Sequence, residues 1–330
     1  MQIRPPLNSP LLYVRSLSTD LSSPAKPSSL QSGLRLGYHS ESGFWSGAAW
    51  VCHDKTGFLM RCQNASSSTQ WSIVVPAYNE AARILPYLRS ITSYMQDRGQ
   101  PYEVLVVDDG STDATAAVVE TAAASAPEIQ LLRAPLRRGK GAAVRRGMQA
   151  AVGRLQLFTD ADGATPIQEL ARLEQAVANG ADVAIGSRAL ASQLPGYAVQ
   201  APLYRTILSN LFKSVVPQSG LTGITDTQCG FKLFRQTVAA DLFGVSSIDG
   251  YGFDLELLYV AQQRGYRIAE IPVNWSHQPS SKFRVLRDGL AMLRELAVIR
   301  RNSAQGYYDL LSPARDFHPP TVSQVGLPPR

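Results

Sequence analysis

Asp160 and Asp162 stand two residues apart in the run Asp160-Ala161-Asp162-Gly163, so on extended backbone both carboxylates point to one side and can share one hard cation. Oxygen donors without His or Cys suit Mg²⁺ or Mn²⁺ rather than zinc. Such ions bind through one or two carboxylates plus substrate phosphates, so the pair implies a diphosphate ligand of nucleotide type. A second acidic run, Val107-Asp108-Asp109-Gly110-Ser111, lies upstream, and between the two falls the basic run Arg137-Arg138-Gly139-Lys140-Gly141. A glycine-flanked lysine that opens a helix can place its ammonium and the first helical N–H groups on phosphate oxygens. The spacing is not that of a P-loop, and Pro76-Ala77-Tyr78-Asn79-Glu80 stands where a dinucleotide-binding fold would carry GxGxxG. There is no GxSxG nucleophile elbow.

These runs acquire meaning from the elements that would carry them. From Trp71 onward, short β-rich runs alternate with Ala-rich helical stretches, the pattern of successive βα units around a mostly parallel sheet. Strands are expected at Ser72–Pro76, Glu103–Asp108, Ile129–Arg133, Leu155–Thr159 and Asp182–Gly186. Helices are expected near Glu80–Met95, Asp113–Ala124 (with Asp113 as a cap), Gly141–Ala151 and Pro166–Ala178 (capped by Thr165). The acidic runs then follow the second and fourth strands, at the carboxyl edge where open α/β sheets bind ligands. Past Ser187 the rhythm is lost: residues 188–280 read as irregular, amphipathic pieces and 282–301 as one helix. Residues 1–70, rich in Ser and Pro, read as a poorly ordered extension without a signal peptide, although Phe44 to Val51 is apolar enough to dock somewhere. Residues 302–330 read as a tail.

With 330 residues, 45% of them hydrophobic and 18% charged, the chain is large enough for one sizeable α/β domain with additions and is neither disordered throughout nor a multi-span membrane protein. No apolar run reaches the roughly 18 residues of a transmembrane helix. Three cysteines, Cys52, Cys62 and Cys229, are too few and scattered for a disulfide scaffold, so a reducing compartment is the default. The net charge of +6 suits an anionic partner. Nucleic acid is disfavoured, because the basic residues are not interleaved with stacking aromatics.

Taken in order, Val75-Pro76-Ala77-Tyr78-Asn79-Glu80, Val107-Asp108-Asp109-Gly110-Ser111-Thr112-Asp113, Gly139-Lys140-Gly141 and Asp160-Ala161-Asp162-Gly163 resemble the motif series of family 2 glycosyltransferases of the GT-A fold. Ile185-Gly186-Ser187-Arg188, the run from Asp226 to Phe234, Phe253 to Leu258, Pro272-Val273-Asn274-Trp275 and Ser281-Lys282 extend the resemblance, over about residues 71–301, to the dolichyl-phosphate β-glucosyltransferase branch and its bacterial polyprenyl-phosphate relatives. The resemblance implies that Pro76, Tyr78 and Glu80 line a nucleotide pocket, that Asp108 or Asp109 reaches the uracil or ribose, and that Lys140 faces the nucleotide. Asp160 would hold the ribose or metal and Asp162 the metal. Arg188, Lys232 and Lys282 would face donor or acceptor phosphates, and Asp226 would belong to the motif closing the reaction centre. Asp254 and Glu256 could equally be structural, one capping a helix and the other pairing an arginine.

The implied activity is an inverting hexosyl transfer, first of all of glucose from UDP-glucose, onto a polyprenyl phosphate at the cytoplasmic membrane face. The alternatives are a polyprenyl-phosphate mannosyltransferase, a family 2 enzyme with a saccharide acceptor, and an inactive membrane-surface protein. Two features depart from the pattern: residues 1–70 contain no membrane anchor, and Ala164 stands where related mannosyl-phosphate synthases have a further metal-contacting Gln. Phe283, Leu286, Leu290, Leu293 and Ala297 form one stripe on the 282–301 helix, flanked by Lys282, Arg284, Arg287, Arg294, Arg300 and Arg301 against Asp288 and Glu295. This suits peripheral attachment to anionic lipid, and the 197–216 stretch is a second place for a lipid to enter. The sequons at Asn64 and Asn274 read as chance.

Overall fold

The computed structural model describes residues 51–53, 59–61, 69–200, 221–278, 285–309 and 322–324. Three-residue strands β1 (Val51–His53) and β2 (Leu59–Arg61) pair antiparallel, so the 1–70 stretch contains a ladder that its composition does not announce. The rest of that extension up to residue 68, including the 44–50 patch and Asn64, lies outside the described residues.

The main sheet is built from β3 (Trp71–Ala77), β4 (Tyr102–Asp108), β5 (Ile129–Arg133), β6 (Leu155–Thr159), β7 (Val183–Ser187), β9 (Phe231–Arg235), β10 (Ile268–Pro272) and β12 (Val322–Gln324). Their spatial order is β12-β10-β7-β9-β6-β3-β4-β5, and every pairing is parallel except the two that β9 makes. Short β8 (Val199–Gln200) and β11 (Trp275–Ser276) form a separate parallel ladder. The expected strands are all present, within a residue or two. Pro76 is tolerated in central strand β3 because it lies two residues past the last β3–β6 pair, Val74 with Phe158, and so removes no donor from that ladder.

Both faces of the sheet are covered, as near-continuous apolar strands require. Val74, Val107, Phe158 and Phe234 turn toward α3 (Lys140–Ala150), α6 (Gln236–Val245), α7 (Phe253–Gln263) and α8 (Val285–Ala304). Their strand neighbours Ile73, Val75, Val106 and Leu233 turn toward α1 (Ile84–Asp97), α2 (Thr115–Ser125) and α4 (Leu170–Ala178). The short α5 (Arg188–Ala191) follows β7 directly, capped by the Ser187 hydroxyl.

Beyond Ser187 the structure corrects the expected irregularity: β9, α6, α7 and β10 resume regular structure, hidden in the sequence because β9 runs backwards and because Lys232, Asp254 and Glu256 sit buried inside apolar elements. The final helix runs to Ala304 rather than 301, and β12 places part of the 302–330 tail on the sheet edge. Among the described residues, no helix is long and apolar enough to cross a membrane.

Candidate active site

The parallel strands deliver Ala77, Asp108, Thr159 and Ser187 to one edge, and because β9 is reversed it brings Phe231, with the turn 226–230 before it, to the same edge. Two loops here are tied together by small polar side chains. Asn79, in the left-handed region at φ 54°, accepts the Thr112 N–H at 2.8 Å through Oδ1, while its own N–H donates to Ser111 Oγ. The Glu80 N–H donates to Thr115 Oγ1, and Asp113 accepts the N–H of Ala81. Asp113 also accepts the Thr115 N–H, so its turn precedes α2 rather than capping the helix at the expected residue.

Asp108 and Asp109 part company. Asp109 is buried and takes the Arg138 and Gly139 N–H groups at 2.8 Å each, one on either oxygen, which makes it the anchor of the basic loop. Burial raises its carboxyl above the usual range, and those two N–H groups act against the rise. Asp108 accepts the Ser111 N–H and lines a cavity of about 520 Å³ together with Ser111, Thr112, Arg133 and Arg137. Arg137 lies over the Tyr78 ring at 4.1 Å, beside that cavity. Both are buried, and of the two residues Asp108 is the one that lines the cavity. Glu80 is buried and holds Arg83, whose guanidinium reaches to 3.8 Å from Asp162.

Asp160 and Asp162 do not lie on extended backbone. The strand ends at Thr159, a turn follows, and Asp162 Oδ1 accepts the Ala164 N–H at 3.0 Å. The two carboxylates nevertheless share one neighbourhood: burial, and then the charge of Asp160, push the Asp162 carboxyl above its ordinary range. Asp160 also packs so tightly on Gly230 that any Cβ there would strike its carboxylate, while its N–H donates to the Gly230 carbonyl. Lys140, the first residue of α3, places its ammonium 2.5 Å from Asp160. Burial works against that charge, but Asp160 and Asp254 outweigh it and hold the ammonium above the usual lysine range.

On the other side Asp226 accepts the backbone N–H, Nε and Nη2 of Arg188, at 2.8 to 2.9 Å. Burial opposes its ionisation, yet Arg188 prevails and lowers the carboxyl to about 2. The turn is held from behind by Glu270, fully buried in β10, which accepts the N–H groups of Thr225 and Asp226 and the Thr225 hydroxyl. Glu256 does the same for another loop: it accepts from Ser247, Ile248 and Tyr308 and pairs no arginine among the described residues. Glu270 carries no motif and was not expected from sequence; a Glu amid the apolar strand Ile268–Pro272 was its only signal.

Lys232 corrects an expectation. It is fully buried, ion-paired to Asp254 at 2.6 Å and donating to the Cys229 carbonyl at 2.7 Å, so its ammonium is engaged inside the protein rather than presented at the surface. Asp254 is thus a pairing partner rather than a helix cap. Lys282 lies outside the described residues. Two buried nitrogens near this edge, Gln228 Nε2 and His277 Nδ1, have no hydrogen-bond partner among the described residues. His277 neighbours Trp275, over whose ring Arg188 sits at 5.6 Å. The Asn274 amide is engaged within the fold: it donates to Glu169 and accepts from Ala198.

Aspartates paired beside a helix-opening lysine, on a mostly parallel sheet with one reversed strand, define a transferase of the GT-A class. The sequence model for glycosyl transferase family 2 matches residues 72–243, and the chain belongs to that family. Among its relatives, the dolichyl-phosphate beta-glucosyltransferase ALG5C of Trichomonas vaginalis is 40% identical over 231 residues, 66% of this chain and 67% of that one. The dolichyl-phosphate beta-glucosyltransferase of Drosophila melanogaster is 39% identical over 71% of this chain and 75% of its own length. The crystal structure of glucosyl-3-phosphoglycerate synthase from Mycobacterium tuberculosis with UDP shares the fold at a TM-score of 0.52 and 22% identity, covering 72% of this chain and 80% of that one.

Proposed function

We propose that this chain is an inverting hexosyltransferase that moves glucose from UDP-glucose to a dolichyl-type polyprenyl phosphate, working peripherally at the cytoplasmic membrane face with Mg²⁺ or Mn²⁺. The relatives' names support glucose and dolichyl phosphate. A neighbouring fold crystallised with Mn²⁺ and UDP-glucose, at a TM-score of 0.50, supports the donor.

The observation that carries the reading is where the carboxylates are spent. In such a transfer an acceptor oxygen attacks the anomeric carbon while its bond to the diphosphate breaks, and an alcohol acceptor would have to lose a proton as it attacks. On the Arg188 side Asp226 is bound to Arg188, Glu270 to backbone N–H groups and Asp254 to Lys232. No carboxylate among these is free to act as base. A phosphate monoester, with a second pKa near roughly 6, arrives as a dianion and needs none. Arg188 and the unpartnered donor of Gln228 are what an oxygen-rich anion would meet.

Toward the donor, Lys140 neutralises charge gathering on the departing diphosphate, and Asp108 and Arg137, the latter stacked on Tyr78, line the cavity suited to the nucleoside. Asp160 and Asp162 fit a divalent ion as a two-carboxylate platform. The described residues contain no group of three or more metal-ligating side chains, so phosphates and water would complete the shell. The bound ion would add positive charge against the diphosphate.

The test offers a panel of nucleotide sugars with a short polyprenyl phosphate and Mn²⁺ and identifies the lipid product by mass. A glucosyl lipid formed from UDP-glucose is expected. Transfer only from GDP-mannose, or only to a saccharide hydroxyl, overturns the assignment.

A further inference from the structure

The two halves of the site are joined through the protein interior by a row of alternating charges. Lys140 pairs with Asp160 at 2.5 Å on the donor side. Its ammonium lies over the rings of Phe158 and Phe253, at 5.8 and 6.0 Å from their centroids. Lys232 lies over the same Phe158 ring at 5.3 Å, so two ammonium groups share one aromatic wall. Repulsion between them would be severe in so dry a place without an anion. Asp254, in the first turn of α7, supplies it: it pairs with Lys232 at 2.6 Å and its charge acts on Lys140 as well. Lys232 in turn grips the carbonyl of Cys229, inside the turn that carries Asp226 and Gly230. Its charge helps keep Asp226 ionised beside Arg188.

A buried pair of this kind is a poor device for stability, since a well-packed apolar pair of similar volume is commonly as good or better. Its location suggests another use. We infer that Asp254 is a positioning residue: through Lys232 it fixes the 226–230 turn, and through the Gly230 carbonyl of that turn, which accepts the Asp160 N–H, it sets the carboxylate on which the Lys140 ammonium rests, so that one buried carboxylate sets both sides of the reaction centre.

The inference rests on the proposed reading only in taking Lys140 as a contact of the donor diphosphate, so UDP affinity, which needs no acceptor, is the chosen readout. Asp254→Asn alone would leave Lys232 charged, buried and unpaired, and folding could fail. The pair is therefore replaced together, Lys232→Met with Asp254→Leu, in the full chain. UDP binding with Mn²⁺ is measured by calorimetry, where an unfolded fraction lowers the stoichiometry and not the affinity. A Kd raised by about tenfold or more is expected, the loss of one well-placed charge-assisted contact. Lys140→Met should weaken UDP binding by a similar factor. Adding the pair replacement to Lys140→Met should cost almost nothing more, because both act through the same ammonium.

A pair variant that binds UDP within about twofold of the wild type, or losses that multiply in the triple variant, would overturn the inference. Failure of the glucosyl-lipid assay with UDP binding intact would overturn the acceptor assignment instead and leave this result standing.

Discussion

The donor and acceptor sides of the site solve opposite electrostatic problems. On the donor side the key carboxylates remain partly open: the side chains of Asp160 and Asp162 keep 38% and 23% of their exposure, although Lys140 and Arg83 stand beside them. On the other side Asp226 and Asp254 keep 7% and 3%, each locked to a cation, and Glu270 is closed over backbone donors. The open pair is arranged to receive positive charge arriving with a ligand. The closed ones have been consumed in fixing cations and loops, which leaves cationic and amide donors as the groups on offer. On the proposed reading, one half takes a cation together with its diphosphate and the other takes an anion.

The sharpest way to break this contrast is at the open pair. Asp162→Asn keeps the shape and the contact with the Ala164 N–H on one oxygen but removes the charge. Transfer should fall by about a thousandfold, a loss of roughly 4 kcal/mol of transition-state stabilisation, and excess EDTA should abolish wild-type turnover. Full turnover of either would mean that the open carboxylates serve some other end.

The closed side should respond differently. Arg188→Ala removes the cation offered to the acceptor and leaves Asp226 buried without its partner. A loss of about a hundredfold in kcat/KM for the acceptor is expected, with UDP affinity changed by less than about threefold. An equal loss of both would show that the two sides are not separate.

The donor half was largely legible in the sequence because each of its motifs is a few consecutive residues following an apolar strand, and parallel strands bring all such endings to one edge. Asp160, Asp162 and Lys140 are brought together there, as is Asp108. What the sequence left open was which of Asp108 and Asp109 faces the cavity, a matter of one residue's rotation at a strand end. The acceptor half was much less legible. Its decisive contacts join residues 38 to 45 positions apart, as in Arg188 with Asp226 and Thr225 with Glu270. Buried charge also interrupts the apolar period that would mark β9 and α7. The resemblance offers Lys232 as a phosphate contact, and nothing local shows that Asp254, 22 residues on, pairs with it in the interior.

The closed state of Asp226 has a signature in stability. Its folded carboxyl titrates at about 2, below the value near 4 of an unfolded chain, so folding gains stability from its ionised form. That gain, about 2 kcal/mol, is fully present above pH ~4, is roughly halved by pH ~3, and is lost as pH falls through the folded value. Urea titrations of wild type and Asp226→Asn should therefore converge on acidification from pH ~5 to ~3. A gap that stays constant over that range would mean that Asp226 is not held ionised by Arg188.

The smallest expected effect lies away from the site, on α8. Met292, Leu296 and Ile299 pack into the core, and Glu295 accepts the Gly252 N–H, so one face of this helix is spent inside the domain. The stripe seen in the sequence is a different face: Leu293 is 42% exposed and Ala297 is exposed too, with Arg294, Arg300 and Arg301 also on the surface. Packing on the domain therefore does not account for Leu293 and Ala297, the members of that stripe whose side chains are described, and apolar residues edged by arginines are the form an anionic bilayer surface recognises. Each arginine near such a surface contributes about 1 kcal/mol, screened by salt. Co-sedimentation with phosphatidylserine-containing vesicles should thus weaken by roughly fivefold for Arg294→Glu, and further when Leu293→Glu is added, with both losses shrinking at high salt. Thermal stability should hardly change, since neither side chain belongs to the packed face. Binding indifferent to both substitutions and to salt would place the membrane contact elsewhere on the chain, and the contrast between an anion-seeking half and a cation-seeking half would then end at the site itself.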